Sequence, residues 1–136
     1  MPYTVDSTAT ATVISLSAKS RAELVRDLVA SVLEAAYGGT STAPAEGQIV
    51  PIQAAGEGEA ELLTNLAADT LRAVRETPGT LLPPRWLAFD EKRVTATLPV
   101  AGGAAASRDL VPRSAAVERS LPDFKGRIEL APVSTG

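Results

Sequence analysis

Two stretches of the chain carry nearly the same pattern of apolar and polar positions. Ala22-Glu23-Leu24 opens the first stretch and Ala60-Glu61-Leu62 opens the second. In both, apolar residues recur every three or four positions, which predicts two amphipathic helices with wide buried faces. The matched positions are Leu24, Val25, Leu28, Val29, Val32, Leu33 and Ala36 in the first stretch and Leu62, Leu63, Leu66, Ala67, Thr70, Leu71 and Val74 in the second. The constant offset indicates a shared packing role but does not prove duplication, because Ala and Leu favour any helix.

Residues that start and stop helices bound both stretches. Ser20 with Glu23 fits a capping box, and the first helix is predicted to run to about Tyr37 before Gly38-Gly39. The second helix is predicted to follow the turn at residues 56–59, with acidic residues at its positive N-terminal end. Thr77-Pro78-Gly79 is predicted to end it.

Between and after the helices the pattern changes to that of strands. The predicted strands are residues 8–17, 48–55, 86–90, 94–100, 110–118 and 124–130. Pro51 cannot donate to a ladder, so its strand is predicted to lie at a sheet edge or to carry a bulge. Glu91-Lys92 is predicted to turn a hairpin. We expect one α+β domain over residues 1–136, in two layers, with two amphipathic helices packed on a mostly antiparallel β-sheet.

The amino-acid composition restricts the reactions and the metal ligands that are available to the protein. The 136 residues include no cysteine and no histidine. Disulfides, thiolate nucleophiles, zinc fingers and imidazole acid–base catalysis are therefore excluded. Any metal would need oxygen ligands, which suits Mg²⁺, Ca²⁺ or Mn²⁺.

Net charge and hydropathy restrict the classes of partner that the protein could bind. The formal net charge is -3, so strong direct binding to nucleic acid is not expected. No apolar run approaches the roughly 20 residues that span a bilayer, and the N-terminus shows no signal-peptide pattern. We expect a cytoplasmic protein that does not enter membranes, and the sequence sets no oligomeric state.

Three segments occur in an order that resembles a known family. They are Tyr3-Thr4-Val5-Asp6-Ser7-Thr8-Ala9-Thr10, Gly56-Glu57-Gly58-Glu59-Ala60-Glu61-Leu62-Leu63-Thr64-Asn65-Leu66 and Arg75-Glu76-Thr77-Pro78-Gly79. This order resembles the archeases over nearly the whole chain. Archeases begin with an aromatic residue and Asp-His-Thr-Ala-Asp, and later carry a Gly-Glu turn and a Glu-Leu-Leu-Val-Asn-Trp-Leu helix. The second of the three segments carries most of the resemblance.

The resemblance implies a fold and a role. Archeases are small α+β proteins that assist an RtcB-type RNA ligase in tRNA splicing and RNA repair. They promote its guanylylation and turnover, and they carry a metal site built from acidic residues. By this resemblance the chain is an RNA ligase cofactor that acts by protein–protein contact and is not itself an enzyme.

The chain departs from the archease pattern at the metal site. Ser7 replaces the usual histidine and Thr10 the second aspartate, while Ala131 falls where the C-terminal aspartate is expected. Asp6 keeps the first acidic position, and Glu118 stands where a histidine would be. Asp6 and Glu118 are therefore the candidate metal ligands of a degenerate site, provided that their strands run side by side. Each lost carboxylate weakens the site, so we expect weak Ca²⁺ or Mg²⁺ binding or no cofactor at all.

Other interpretations stay open. Asp6 fits a turn or strand-start residue that bonds its own backbone, and Glu118 fits a solvated strand residue. The chain also fits a structural or interaction domain that kept the archease fold and changed its partner. An independent enzyme would need a carboxylate pair, or a serine with a lysine base, and no motif joins such residues.

Overall fold

We obtained the fold from a computed structural model. The structure describes residues 3–7, 11–37, 45–77, 80–82, 84, 86–89, 92–101, 110–120 and 123–132. The elements in chain order are β1 (Tyr3–Ser7), β2 (Thr12–Ala18), α1 (Arg21–Tyr37), β3 (Ala45–Ala55), α2 (Glu59–Glu76), β4 (Thr80–Leu81), β5 (Trp86–Phe89), β6 (Arg93–Ala101), β7 (Leu110–Ser120) and β8 (Asp123–Pro132).

The strands form two antiparallel sheets. The first has the order β1-β2-β8-β7, and the second has the order β3-β6-β4, with β5 also paired to β6. All the pairings are antiparallel, which confirms the α+β prediction of helices packed on antiparallel sheet. The difference from the prediction is that the strands divide between two sheets. Helix α2 joins the two sheets, since it packs on both β3 and β7, while α1 packs on α2 and on β2 and β1 of the first sheet.

The two helices bury the faces that the sequence pattern predicts. Every matched apolar position of both helices is buried, so the shared packing role is confirmed. Thr70, the one polar member, is accommodated because its hydroxyl donates to the Leu66 carbonyl at 2.8 Å. Ser20 caps α1 by accepting a hydrogen bond from the Glu23 amide at 3.2 Å. Neither described helix is long and apolar enough to cross a membrane.

All six predicted strands are present, but several begin or end at residues other than those predicted. β2 begins at Thr12, not at residue 8, and β3 begins at Ala45, three residues early; residues 8–10 lie outside the described part. β1 and the short β4 were not predicted as strands. Their pairing depends on neighbours that are distant in sequence, so local pattern gives little sign of them.

Pro51 lies in an edge strand, as predicted. Among the described strands β3 pairs with β6 alone, and its register shifts between Ala45 and Ile49. The Gln53 amide, two residues after the proline, points away from β6 and bonds an α2 side chain. The backbone groups of every second residue in a strand point to the same side, so the nitrogen of Pro51 also faces away from β6. Pro51 therefore removes no donor from the β3–β6 ladder.

The connection from β3 to α2 depends on Gly56. Its amide donates to the Lys92 carbonyl at 2.9 Å, and the first turn of α2 lies directly over it. A Cβ atom at this position would lie 2.6 Å from the backbone nitrogen of Leu62 and 2.9 Å from its Cα. Those atoms belong to the helix backbone, so they cannot move without shifting α2.

We therefore predict that Gly56→Ser lowers the free energy of unfolding by about 2 kcal/mol. The control is Gly58→Ser, because Gly58 is the N-cap of α2 and nothing lies within 4 Å of its Cβ position. A serine at the N-cap should raise the free energy of unfolding by at most about a few tenths of a kcal/mol. Denaturant unfolding of both variants gives the measurement. Equal losses in the two variants would contradict the close approach at Gly56.

Candidate functional site

The two predicted metal ligands lie far apart. Asp6 is on β1, exposed, and pairs in register with Val13 on β2. Glu118 is on β7, at the opposite edge of the same sheet, with β2 and β8 in between. Three strand spacings separate β1 from β7 by roughly 14 Å. The condition that their strands run side by side is not met.

This separation decides whether the two residues fit one cation. Carboxylates that share a hard cation must each bring an oxygen to about 2.3–2.6 Å from it. Asp6 and Glu118 cannot both do so across two intervening strands. Among the described residues, no group of three acidic side chains could hold a metal ion. The side chain of Glu118 and the whole of Thr10 lie outside the described part, so the role of each candidate by itself stays a prediction.

A carboxylate that sequence reasoning missed lies in the same row as Asp6. Val13 pairs with Glu129 on β8, so Asp6 and Glu129 share one row and one face of the sheet. Glu129 lies 3.8 Å from Arg113 across the β7–β8 pair. It is two strand spacings from Asp6, roughly 10 Å, which is again too far for a shared cation.

A second polar group joins β1 to α1. The Tyr3 hydroxyl hydrogen-bonds the Glu34 carboxylate, and Asp27 lies close enough to act on the same hydroxyl. Burial, the bond to Glu34 and the nearby negative charges raise the pKa of Tyr3 to about 12. Burial and then the charge of Glu23 raise the pKa of Asp27, against the opposite effect of Arg26. The Oδ2 atom of Asp27 is buried and has no hydrogen-bond partner among the described residues.

Sequence reasoning did not single out Tyr3, Asp27 or Glu34 as a group. Asp27 and Glu34 are two turns apart in α1, a spacing that places them on one flank of the helix. That spacing was visible in the sequence. The missing information was the position of β1, which brings Tyr3 to this flank.

A third polar group fastens α2 to the free edge of β3. Asp69 accepts a hydrogen bond from the Gln53 amide at 2.8 Å and lies 2.7 Å from Arg72 Nε. Asn65 donates to the Ala55 carbonyl at 2.7 Å. These side chains take up edge groups that would otherwise be open to another strand.

An open cleft of about 470 Å³ lies beside this contact. Its described lining includes Gln53, Asp69, Arg72 and Thr95. Asp69 and Arg72 bond each other, and Arg72 also bonds Glu76. Of the described lining residues, Gln53, Asp69 and Arg72 are thus engaged in the α2–β3 contact.

In its fold the chain is similar to two solved structures. An archease of Thermotoga maritima, described as a possible chaperone, is 10% identical with a TM-score of 0.59, over 88% of each chain. Protein 1598 of Methanobacterium thermoautotrophicum is 13% identical with a TM-score of 0.60, over 96% of this chain and 98% of that one. The archease fold expected from the sequence is thus confirmed. At these identities the likeness establishes the fold and no more.

Comparison of sequences adds no relative. No family model matches the chain, and no curated protein matches it.

We predict that Asp69→Ala lowers the free energy of unfolding by about 1 kcal/mol, because it removes the charged acceptor of the Gln53 amide and a partner of Arg72. The control is Glu76→Ala, which removes the more exposed carboxylate partner of Arg72 and should cost less than about 0.5 kcal/mol. Denaturant unfolding measures both. If the two variants lose the same stability, the edge contact is not the source of the effect.

We predict a pH-dependent gain in stability from Asp27→Asn. Folding raises the pKa of Asp27 above its ordinary value of 3.8, so the protonated form is favoured in the folded protein. That contribution is complete below the unfolded pKa and is lost as pH rises through the folded pKa. The variant should therefore be more stable than the parent near pH 7, and this advantage should disappear near pH 3. Thermal unfolding at the two pH values is the measurement, with Glu61→Gln on α2 as the control; a gain of the same size at both pH values would contradict this account.

Proposed function

We propose that this protein is an archease-like accessory protein that assists an RtcB-type RNA ligase in tRNA splicing and RNA repair. The observation that carries the proposal is the archease fold over nearly the whole chain, at 88% or more of each chain compared. The motif order around Asp6 and through residues 56–66 adds support at the level of sequence. The description of the Thermotoga maritima protein as a possible chaperone points to the same kind of role.

We further propose that the protein acts by contact and performs no reaction of its own. The chain has no histidine or cysteine. The polar groups described above are used to join elements: Tyr3 with Glu34, and Asp69 with Gln53 and Arg72. In this role the protein would stabilise a productive conformation of the ligase around its nucleotide and metal. Asp6, with Glu118 as the second candidate, would be the residual polar centre that contributes charge there.

The second candidate is an interaction domain that kept the archease fold and lost metal binding and ligase activation. One observation supports it: the strands β2 and β8 lie between the strand of Asp6 and the strand of Glu118. Under this candidate metal binding is lost and the partner has changed, whereas the accessory protein of the first candidate keeps a degenerate metal site.

The two candidates differ in what the protein does to a ligase. We expect a cognate RtcB-type ligase that completes a single round alone to complete many rounds when this protein is added. The measurement is ligated RNA formed per ligase molecule, in manganese and GTP, with the protein titrated to saturation. Asp6→Ala should reduce the stimulation, and Glu61→Gln, which removes an exposed charge on α2, should not.

Absence of any stimulation at saturating protein would overturn the ligase proposal and favour the interaction domain. Stimulation that is unchanged by Asp6→Ala would keep the accessory role and remove Asp6 from it.

A further inference from the structure

The second half of the long edge strand of the second sheet, residues 51–55, is closed to pairing. Pro51 of β3 has no amide hydrogen to offer. Next along the edge, the Gln53 amide is taken by Asp69, and the Ala55 carbonyl is taken by Asn65. An added strand would have to break these bonds, so β3 is a poor template.

The other edges carry their own obstacles, except one. β7 contains Pro112, has a register shift between Pro112 and Ser114, and packs against α2. β4 and β5 are only two and four residues long. β1 has five residues, with neither a proline nor a register shift, and it forms the end of its sheet. Within the described part of the chain, no element pairs with its outer side.

The side chains around β1 indicate what an added strand would look like. Tyr3 and Val5 are half-buried and pack against the core, whereas Thr4 and Asp6 are exposed. On the inner side Asp27 and Glu34 approach Tyr3, and the buried Oδ2 of Asp27 has no donor among the described residues. A strand added beside β1 would therefore lie next to two half-buried side chains, those of Tyr3 and Val5, and near two carboxylates.

We propose that the open edge of β1 binds an extended, basic segment of a protein partner as an added strand. Apolar residues of that segment would cover Tyr3 and Val5, and a lysine or arginine would pair with Asp27 or Glu34. A second copy of this chain fits less well, because two-fold pairing through β1 would bring the acids of both α1 helices together. The proposal concerns any partner with such a segment and does not depend on an RNA ligase being the partner.

The test uses capped ten-residue peptides added to the full chain. The probe alternates lysine and valine, and the charge-matched control alternates lysine and proline, which cannot form a strand. The probe should bind at least about tenfold more tightly than the control. In amide hydrogen exchange, bound probe should protect those amides of β1 that face away from β2.

Variants separate the acidic flank from general charge. Asp27→Asn and Glu34→Gln should each weaken binding of the lysine–valine peptide by about two- to fivefold. Glu61→Gln removes the same charge from an exposed site on α2 and should leave binding unchanged. A peptide alternating glutamate and valine should not bind.

Three results would overturn the proposal. They are equal binding of the lysine–valine and lysine–proline peptides, equal weakening by Glu61→Gln, and no added protection in β1. Concentration-dependent protection of β1 without any peptide, together with a dimer in sedimentation, would overturn it in favour of a second copy. Each of these results is read without a ligase, so it is distinguishable from a failure of ligase stimulation.

Discussion

The burial of one helix, α2, against strands of both sheets is the interaction on which the rest of the structure depends. Its apolar face, from Leu62 to Val74, lies in the core, and the helix contacts β3 of one sheet and β7 of the other. Its polar flank bonds the edge of β3 through Asn65 and Asp69. Apolar burial stabilises the contact in proportion to the area buried but does not fix the position of the helix along the strand. The hydrogen bonds are directional, so they fix that position. The absence of a side chain at Gly56 allows the helix backbone at Leu62 to approach the end of β3 closely.

The same packing determines which surfaces remain for a partner. With β3 and β7 engaged by α2, the edge left at the end of the first sheet is β1, which α1 flanks with Asp27 and Glu34. Carboxylates collected there have a cost to the isolated protein, since burial and like charge raise the pKa of Asp27. A cationic group bound beside these carboxylates would offset this cost, because it supplies the opposite charge.

Helices were the most predictable part of the chain. The period of the apolar positions, together with Ser20 before α1 and Thr77 after α2, is local information and placed both helices closely. Strands were predicted less completely, because pairing is decided by distant partners: β1 was missed although its alternation was present, and β3 proved longer than its apolar run. Pro51 was informative because the loss of an amide hydrogen has a consequence in any sheet.

The candidate site shows which spatial relations could not be predicted from the sequence. By itself the sequence determined the fold class, the two buried helix faces, the absence of imidazole and thiol chemistry, and a resemblance to archeases carried by a few motifs. It could not say whether Asp6 and Glu118 meet, because that depends on strand order, and the order β1-β2-β8-β7 keeps them at opposite edges. Nor could it bring Tyr3 to Glu34 or Asp69 to the Gln53 amide. Only the tertiary structure decides such pairs, because they join segments whose separation along the chain carries no information about their separation in space.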